Sequence, residues 1–253
     1  MDINERKVSA NNGDTSAMMD LAFYFYDQKD YHEALLWSEK AARKGEKIGI
    51  SVTRSLASIL GEACSSLDVQ AYDEAINYWS LVRYWSQHTL QGLSDEGEER
   101  NRALADFNFS SFKLAYCYWR SGDYDAAIKI KLANKTMESL IHGLCLDKIA
   151  CRDNNTSLLR TSYQKISVLE HDAAFFNREK SETEEVVFLF AVLSLSVSYR
   201  LGIPYYLRED LNRAVYLLSC CANLLTIPSL KRVAEKELAA YKRTASGGWQ
   251  YIG

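Results

Sequence analysis

The chain of 253 residues has a formal net charge of −3, with 47% hydrophobic and 25% charged residues, values that are ordinary for a folded soluble protein. Lysine and arginine form no dense cluster, and because phosphate binding requires clustered cations, we expect no nucleic-acid partner. Proline is scarce, at 2 residues, and since helix interiors exclude proline whereas all-β folds use it at edges and turns, the composition favours an all-α fold.

A short motif recurs along the chain with unequal gaps. It begins with an aromatic or apolar residue and ends three positions later with alanine, at Tyr31–Ala34, Tyr72–Ala75, Tyr124–Ala127 and Leu211–Ala214. Each copy follows an apolar stretch that contains leucine and a small residue, at Leu21-Ala22, Leu60-Gly61, Leu114-Ala115 and Leu195-Ser196. The pattern predicts pairs of antiparallel helices that cross at the small residue. One pair cannot bury its apolar faces alone, so the pairs are expected to stack.

The pairs are predicted in chain order from caps and turns. The first spans about 14–45, with Asp14 as N-cap and Gly45 as the stop, and the second spans about 47–90. The third spans about 95–142. Acidic residues at 95, 96, 98 and 99 suit the start of its first helix, which ends near Arg120, and its second helix covers about 124–142.

The C-terminal half is predicted to contain a helix at about 156–175, a fourth pair at about 182–226 and a last helix at about 229–244 capped by Ser229. The tail 245–253 either covers the end of the stack or is a free interaction motif, and we favour the cap because terminal repeats need their ends covered. No linker composition is visible. We therefore predict a single domain over 1–253 with about ten to eleven helices.

The first pair resembles a Sel-like repeat, a relative of the tetratricopeptide repeat. The resemblance rests on Gly13-Asp14, Ala17, Leu21-Ala22, Tyr31, Ala34, Trp37, Lys40-Ala41-Ala42 and Gly45. The fourth pair is similar at Tyr199, Gly202-Ile203, Asp210, Arg213-Ala214 and Ala222, and the third is similar to a plain tetratricopeptide unit. The resemblance implies a right-handed α-solenoid, irregular here because the spacing is uneven. It implies binding of a peptide or partner helix on the concave face, and no reaction or cofactor.

In such solenoids the first helix of each pair lines the concave face, and its groove positions follow one helical stripe. The stripe in the third pair is aromatic, with two cations beside it, at Phe109, Phe112, Lys113, Tyr116, Trp119 and Arg120. The same rule selects Phe23 and Tyr26 in the first pair and Arg200 in the fourth. We predict that these residues form a partner-binding groove. The alternative is that the stripe belongs to the core, covered by extra helices or by the tail.

Three functional hypotheses are compatible with this sequence. The first is a non-enzymatic scaffold that binds a protein or peptide, and the second is a dedicated inhibitor or immunity-type partner of one enzyme or toxin. The third, a metalloprotein or hydrolase, would use His142 with Cys145 or His171 with Asp172, but both pairs lack the further ligands that a metal needs. No phosphate loop, G-x-S-x-G or H-E-x-x-H motif occurs. We predict no enzymatic activity, metal or cofactor, and a homodimer is compatible with each hypothesis.

The cellular location is predicted from what the sequence lacks. The segment Met1–Lys7 has no apolar signal region. The most apolar stretch, 186–197, is shorter than the ~20 residues that cross a bilayer, so we interpret it as a buried helix. The cysteines form no C-x-x-C pair, which is typical of free thiols in a reducing compartment. We therefore expect a cytoplasmic protein without a membrane partner.

Overall fold

A computed structural model describes residues 2–93, 97–201 and 210–253. The described residues form thirteen α-helices, one short 3-10 turn and a two-stranded β-hairpin, and helices that are neighbours in sequence pack against each other. The predicted all-α fold of paired helices is therefore confirmed, with more helices than expected. The chain divides into two compact units, Met1–Ser121 and Gly122–Gly253. The right-handed solenoid and the single domain stay predictions.

The described residues of the first unit form six helices, and each packs against the next one along the chain. They are α1 Ile3–Asn11, α2 Thr15–Asp27, α3 Tyr31–Arg43, α4 Lys47–Ser65, α5 Tyr72–Gly92 and α6 Glu98–Ser121. The carboxylate of Asp14 accepts hydrogen bonds from the backbone N–H groups of Ser16 and Ala17 and thereby starts α2. Gly45 has a φ of +87°, the left-handed conformation that glycine adopts without strain, and it ends α3.

The small residues of the recurring motif lie in the core. The alanines that end the four copies, Ala34, Ala75, Ala127 and Ala214, are fully buried, as are Ala22, Ala115 and Ser196 of the leucine-small pairs. Gly61 shows the reason most clearly, because a Cβ added there would lie 2.7 Å from Cε2 of the buried Trp79. The crossing of α4 and α5 therefore requires a residue without a side chain at this position.

The second unit contains the remaining elements. They are α7 Tyr124–Ala127, α8 Lys135–Arg152, α9 Thr156–Ile166, the 3-10 turn Ser167–Glu170, α10 Ala173–Asn177, α11 Glu182–Leu201, α12 Leu211–Leu224, α13 Pro228–Ala239, β1 Tyr241–Arg243 and β2 Trp249–Tyr251. Helix α8 packs on α9 and α11, and α11 packs on α12 and α13. The apolar stretch 186–197 lies within α11 and is mostly buried, as predicted.

Three predicted helices were wrong in extent. The last helix, predicted over about 229–244, ends at Ala239, and residues 241–243 form strand β1. The helix over 124–142 is broken, because the side chain of Asn134 accepts a hydrogen bond from the N–H of Met137 and starts α8 anew. The helix over 156–175 ends at Ile166, and the Asp172 carboxylate caps the separate helix α10 through the N–H of Phe175. Apolar spacing continues across both breaks, so the periodicity alone did not reveal them.

Other differences concern the ends of the chain. Helix α1 was not predicted, although Asp2 and Glu5 form a capping box at its start. Ser229 is not the cap of the last helix, because α13 begins at Pro228. The predicted roles of Asp95, Glu96 and Gly202-Ile203 lie outside the described residues.

The C-terminal tail is folded onto the second unit. Strands β1 and β2 pair antiparallel, with Tyr241 opposite Tyr251 and their ring centroids 5.1 Å apart. The Arg200 guanidinium lies 3.9 Å from the centroid of the Tyr251 ring, and the Ile252 N–H donates to the carbonyl oxygen of Ala240 at 2.8 Å. The tail residues are therefore engaged within their own unit.

Among the described residues, no helix is both long enough and apolar enough to cross a membrane.

We predict that Gly61→Ala lowers the free energy of unfolding by about 1–3 kcal/mol, because the new methyl group overpacks against Trp79. Urea denaturation followed by circular dichroism measures the change. Gly92→Ala is the matched control, since a Cβ there meets no atom within 4 Å. Equal stability of the two variants would contradict the tight crossing of α4 and α5.

A second prediction concerns Asp147 in α8, which lines a small pocket between α8, α9 and α11. Burial raises the pKa of Asp147 above its usual value. The folded state then binds this proton more tightly than the unfolded state does, so stability falls as the pH rises through and above the unfolded pKa of about 3.9. Asp147→Asn should therefore stabilise the protein at neutral pH and lose that advantage in acid.

Thermal unfolding across the acid-to-neutral range measures this difference between wild type and variant. The exposed Asp153 is the control, because its hydrogen bond with Arg152 lowers its pKa. Asp153→Asn is expected to give no gain at neutral pH. A destabilised Asp147→Asn at neutral pH would show that the carboxylate is stabilised by contacts that outweigh its burial.

Candidate partner-binding face

In the first unit, α2, α4 and α6 are the first helices of the three predicted pairs. They lie together on one side of this unit. Helices α2 and α4 line an apolar pocket of about 230 Å³, formed by Phe23, Tyr26, Ser51, Val52, Ser55, Leu56 and Ile59. Helices α4 and α6 are joined by two ion pairs. In these, Lys113 Nζ lies 2.7 Å from Glu62 Oε2 and Arg54 Nη1 lies 3.3 Å from Asp106 Oδ2. We call the surface formed by the pocket residues, the two ion pairs and Phe109 the α2–α4–α6 face.

Large apolar side chains are exposed on all three helices of this face. Phe23 is 47% exposed and Tyr26 46% on α2, Ile59 is 40% exposed on α4, and Phe109 is 44% exposed on α6. Three of these four residues surround the same pocket. Exposed apolar residues that gather around a concave pocket are typical of a surface that contacts another molecule.

Lys113 fixes the α6 end of the face. Its side chain is buried, and the ammonium group lies 5.5 Å from the ring centroid of Phe109 and 5.8 Å from that of Trp79. Trp79 and Phe109 also contact each other edge to face, with centroids 5.6 Å apart. Because Glu62 is half-exposed while Lys113 is not, the ion pair presents a carboxylate at the surface. Lys113 therefore positions Phe109 and Glu62.

The aromatic residues of the α6 stripe differ in how far they are exposed to solvent. Phe109 is exposed and Phe112 is half-buried, whereas Tyr116 and Trp119 are only 1% and 6% exposed. The Tyr116 ring packs edge to face against Tyr72 of α5, with centroids 5.9 Å apart. Tyr116 and Trp119 are consequently inaccessible as anchors in this structure, because α5 covers the side of α6 from which Tyr116 projects.

Arg120 belongs to the same buried aromatic cluster. Its guanidinium lies 5.1 Å from the centroid of the Tyr72 ring, 5.9 Å from that of Tyr116 and 5.7 Å from that of Trp119. Burial raises the pKa of the Tyr116 hydroxyl well above its ordinary value. Arg120 thus contributes to the packing of α5 against α6 rather than presenting an exposed positive charge.

Arg200 lies in the second unit. It stacks on Tyr251 and its Nη1 lies 3.6 Å from Glu237 Oε1. These contacts connect α11 to α13 and to the C-terminal hairpin. Arg200 is therefore engaged in structural contacts within the second unit, and its predicted groove role stays a prediction.

Sequence reasoning missed part of the α4 contribution. The groove positions lie five and two residues before the leucine of each leucine-small pair and two and five after it. In the second pair this rule selects Ser55, Ser58, Glu62 and Ser65 around Leu60, and it omits Ser51 and Ile59. Ser51, Ser55 and Ile59 are spaced by four residues, so they follow one helical stripe that the periodicity could have revealed. Arg54 was also missed, because its neighbours give no local sign that an arginine is buried there.

The candidate metal residues make structural contacts. His142 is buried, and its Nε2–H donates to the carbonyl oxygen of Ile130 at 3.1 Å, while burial lowers its pKa. Burial also raises the pKa of the Cys145 thiol to about 12. Asp172 accepts a hydrogen bond from Thr136 besides capping α10. In the part of the chain that the structure describes, no three His, Cys, Asp or Glu side chains form a metal-ligand group.

Comparisons with protein-family models, with curated proteins and with solved structures find no match to this chain. The likeness to Sel-like repeats therefore rests on the motif residues of the first and fourth pairs and on the packing of neighbouring helices in pairs. Any functional assignment depends on the geometry of the α2–α4–α6 face.

We predict that the two ends of the α6 stripe respond differently to truncation. Tyr116→Ala should lower the free energy of unfolding by about 3–5 kcal/mol, because it empties a packed aromatic site. Phe109→Ala should lower it by no more than about 1.5 kcal/mol, since the ring is half-exposed and makes an edge-to-face contact with Trp79. Urea denaturation of both variants gives the two values, and similar losses would mean that Phe109 is also core.

Proposed function

We propose that this protein is a non-enzymatic binding scaffold of Sel-like, tetratricopeptide-related helix pairs that holds a partner peptide or helix on the α2–α4–α6 face. The observation that carries the proposal is the apolar pocket bordered by Phe23, Tyr26 and Ile59, which are exposed on adjacent helices. A side chain that enters this pocket removes apolar surface on both molecules from water, which favours association.

The size and chemistry of the pocket indicate the kind of anchor. A cavity of roughly 150 Å³ holds a benzene ring, so the volume of about 230 Å³ here accommodates an aromatic or branched aliphatic side chain. Ser51 and Ser55 supply hydroxyl groups at its border. The partner expected from these features is a peptide with one large apolar anchor.

The charged residues of the face favour a polar group on the partner beside that anchor. Glu62 lies seven residues beyond Ser55 on α4, about 10 Å along the helix axis at 1.5 Å per residue. Its carboxylate is half-exposed although it pairs with Lys113. A basic or amide group on the partner would find an acceptor there.

Selection of a random peptide library on the wild-type protein tests the proposal, followed by fluorescence anisotropy with the enriched peptides. We expect Phe23→Ala/Tyr26→Ala to weaken binding by about 10-fold or more, because aromatic anchors dominate interface energy. Both residues are exposed, so the variant should remain folded. Tyr84→Ala is the matched control, since Tyr84 is exposed on α5 and does not line the pocket.

Two results would contradict the proposal: no enrichment of any peptide, or equal affinity for wild type and the double variant. If the selected peptides bind at this face, a capture experiment from native extract then distinguishes the two interaction hypotheses. Many weakly bound partners are expected for a scaffold. One tightly bound, stoichiometric enzyme or toxin would instead support a dedicated inhibitor or immunity-type protein.

A further inference from the structure

Acidic side chains lie beside the exposed apolar residues of the α2–α4–α6 face in a regular way. Each helix of the face exposes a large apolar side chain, at Phe23, Ile59 and Phe109. Each of the three has a carboxylate three positions away on its own helix, at Asp20, Glu62 and Asp106 respectively. Residues three apart are neighbours on a helix surface, so each exposed apolar side chain has an acidic neighbour.

The two cations of the face are buried beneath these carboxylates. Arg54 pairs with Asp106, and Lys113 pairs with Glu62. The side chains of the two cations are only 8% and 7% exposed, whereas those of their carboxylates are 43% and 47% exposed. Each ion pair is neutral in sum, but its negative end is the one that solvent and a partner meet.

Helix α2 adds acidic charge that no buried cation neutralises. It contains no lysine or arginine. Asp20 contacts Arg6 only at 4.0 Å, and Asp27, which directly follows Tyr26, forms no ion pair among the described residues. Over the whole first unit, Met1–Ser121, 18 acidic residues oppose 13 lysines and arginines, a formal charge of −5. The face and its unit therefore both attract cations.

We propose that the partner of the α2–α4–α6 face is a basic segment of another protein, in which lysine or arginine residues flank the apolar anchor. This partner assignment rests on the proposed function, to which it adds the sign of the partner's charge. The carboxylates lie within one helical turn of the exposed apolar residues, so matching cations are expected within about four positions of the anchor. Apolar burial supplies affinity, and the charges supply selection among partners and faster association.

The probe is a library of short peptides with one tryptophan fixed at the centre and the other positions drawn equally from serine, lysine and glutamate. Selection on the wild-type protein should enrich lysine over glutamate by about 5-fold or more within about four positions of the tryptophan. An enriched lysine peptide and its counterpart with serine in place of each lysine then form a matched pair for fluorescence anisotropy.

Salt dependence tests whether charge is responsible for the selection. Raising NaCl from about 0.1 M to about 1 M shortens the Debye length from about 10 Å to about 3 Å. The affinity of the lysine peptide should therefore fall by about 5-fold or more. The affinity of the serine counterpart should change by less than about 2-fold, because its binding depends on the apolar anchor.

Variants locate the charges. Asp20→Asn/Asp27→Asn removes two exposed carboxylates of α2 and leaves both buried ion pairs intact. It should weaken binding of the lysine peptide by about 5-fold or more and leave the serine counterpart unchanged. Glu33→Gln/Asp73→Asn is the matched control, because it changes the charge of the unit equally but lies on α3 and α5 and does not line the pocket. The control should weaken the lysine peptide by less than about 2-fold.

Three results would overturn the assignment of a basic partner. They are equal enrichment of lysine and glutamate around the tryptophan, an affinity of the lysine peptide that salt does not change, and equal losses in Asp20→Asn/Asp27→Asn and its control. The proposed function would survive each of them, provided that Phe23→Ala/Tyr26→Ala still weakens binding of the enriched peptides. It would fail together with the basic partner if no peptide were enriched, or if that variant bound the lysine peptide as tightly as the wild type.

Discussion

The arrangement of the first unit depends on Trp79, the buried indole of α5. On one side the ring lies against Gly61 of α4 so closely that no side chain fits between them, and on the other it meets Phe109 and Lys113 of α6. The indole thus sets the spacing of the two helices that border the candidate face. Because Glu62 follows Gly61 directly, the same contact places this carboxylate within reach of Lys113. Packing and surface chemistry are therefore coupled at this point.

The sequence was informative where local chemistry decides the structure. Asp14 and Gly45 bound the first helix pair because a side-chain cap and a left-handed glycine act within a few residues. The motif alanines are buried because only a small residue allows two helices to cross closely. Local sequence did not predict the start of α13 correctly. There the buried Glu185 accepts hydrogen bonds from the N–H groups of Thr226 and Ile227. This carboxylate binds the backbone that leads into α13, whose N-cap residue Ile227 makes no side-chain capping hydrogen bond.

The candidate site was less predictable, for a related reason. Helical spacing shows which residues share a side of a helix, but it does not show what covers that side. Phe109 and Tyr116 belong to one stripe of α6, yet Tyr72 covers Tyr116 and leaves Phe109 open. The α4 residues Ser51, Ser55 and Ile59 have helical spacing, but the sequence does not show that α2 lies beside them and completes a pocket. Tertiary contacts thus decide which half of an aromatic stripe is available to a partner.

Two buried cations on the α2–α4–α6 face have similar ion pairs but are satisfied by hydrogen bonds to different degrees. Lys113 and Arg54 are each buried and each opposed by a more exposed carboxylate on the neighbouring helix. Lys113 donates a hydrogen bond to Glu62 and lies near two aromatic rings, so protein contacts compensate its desolvation. Arg54 has a longer contact with Asp106, two buried nitrogens without a hydrogen bond among the described residues, and a pocket beside it. The fold thus compensates the desolvation of Lys113 more fully than that of Arg54.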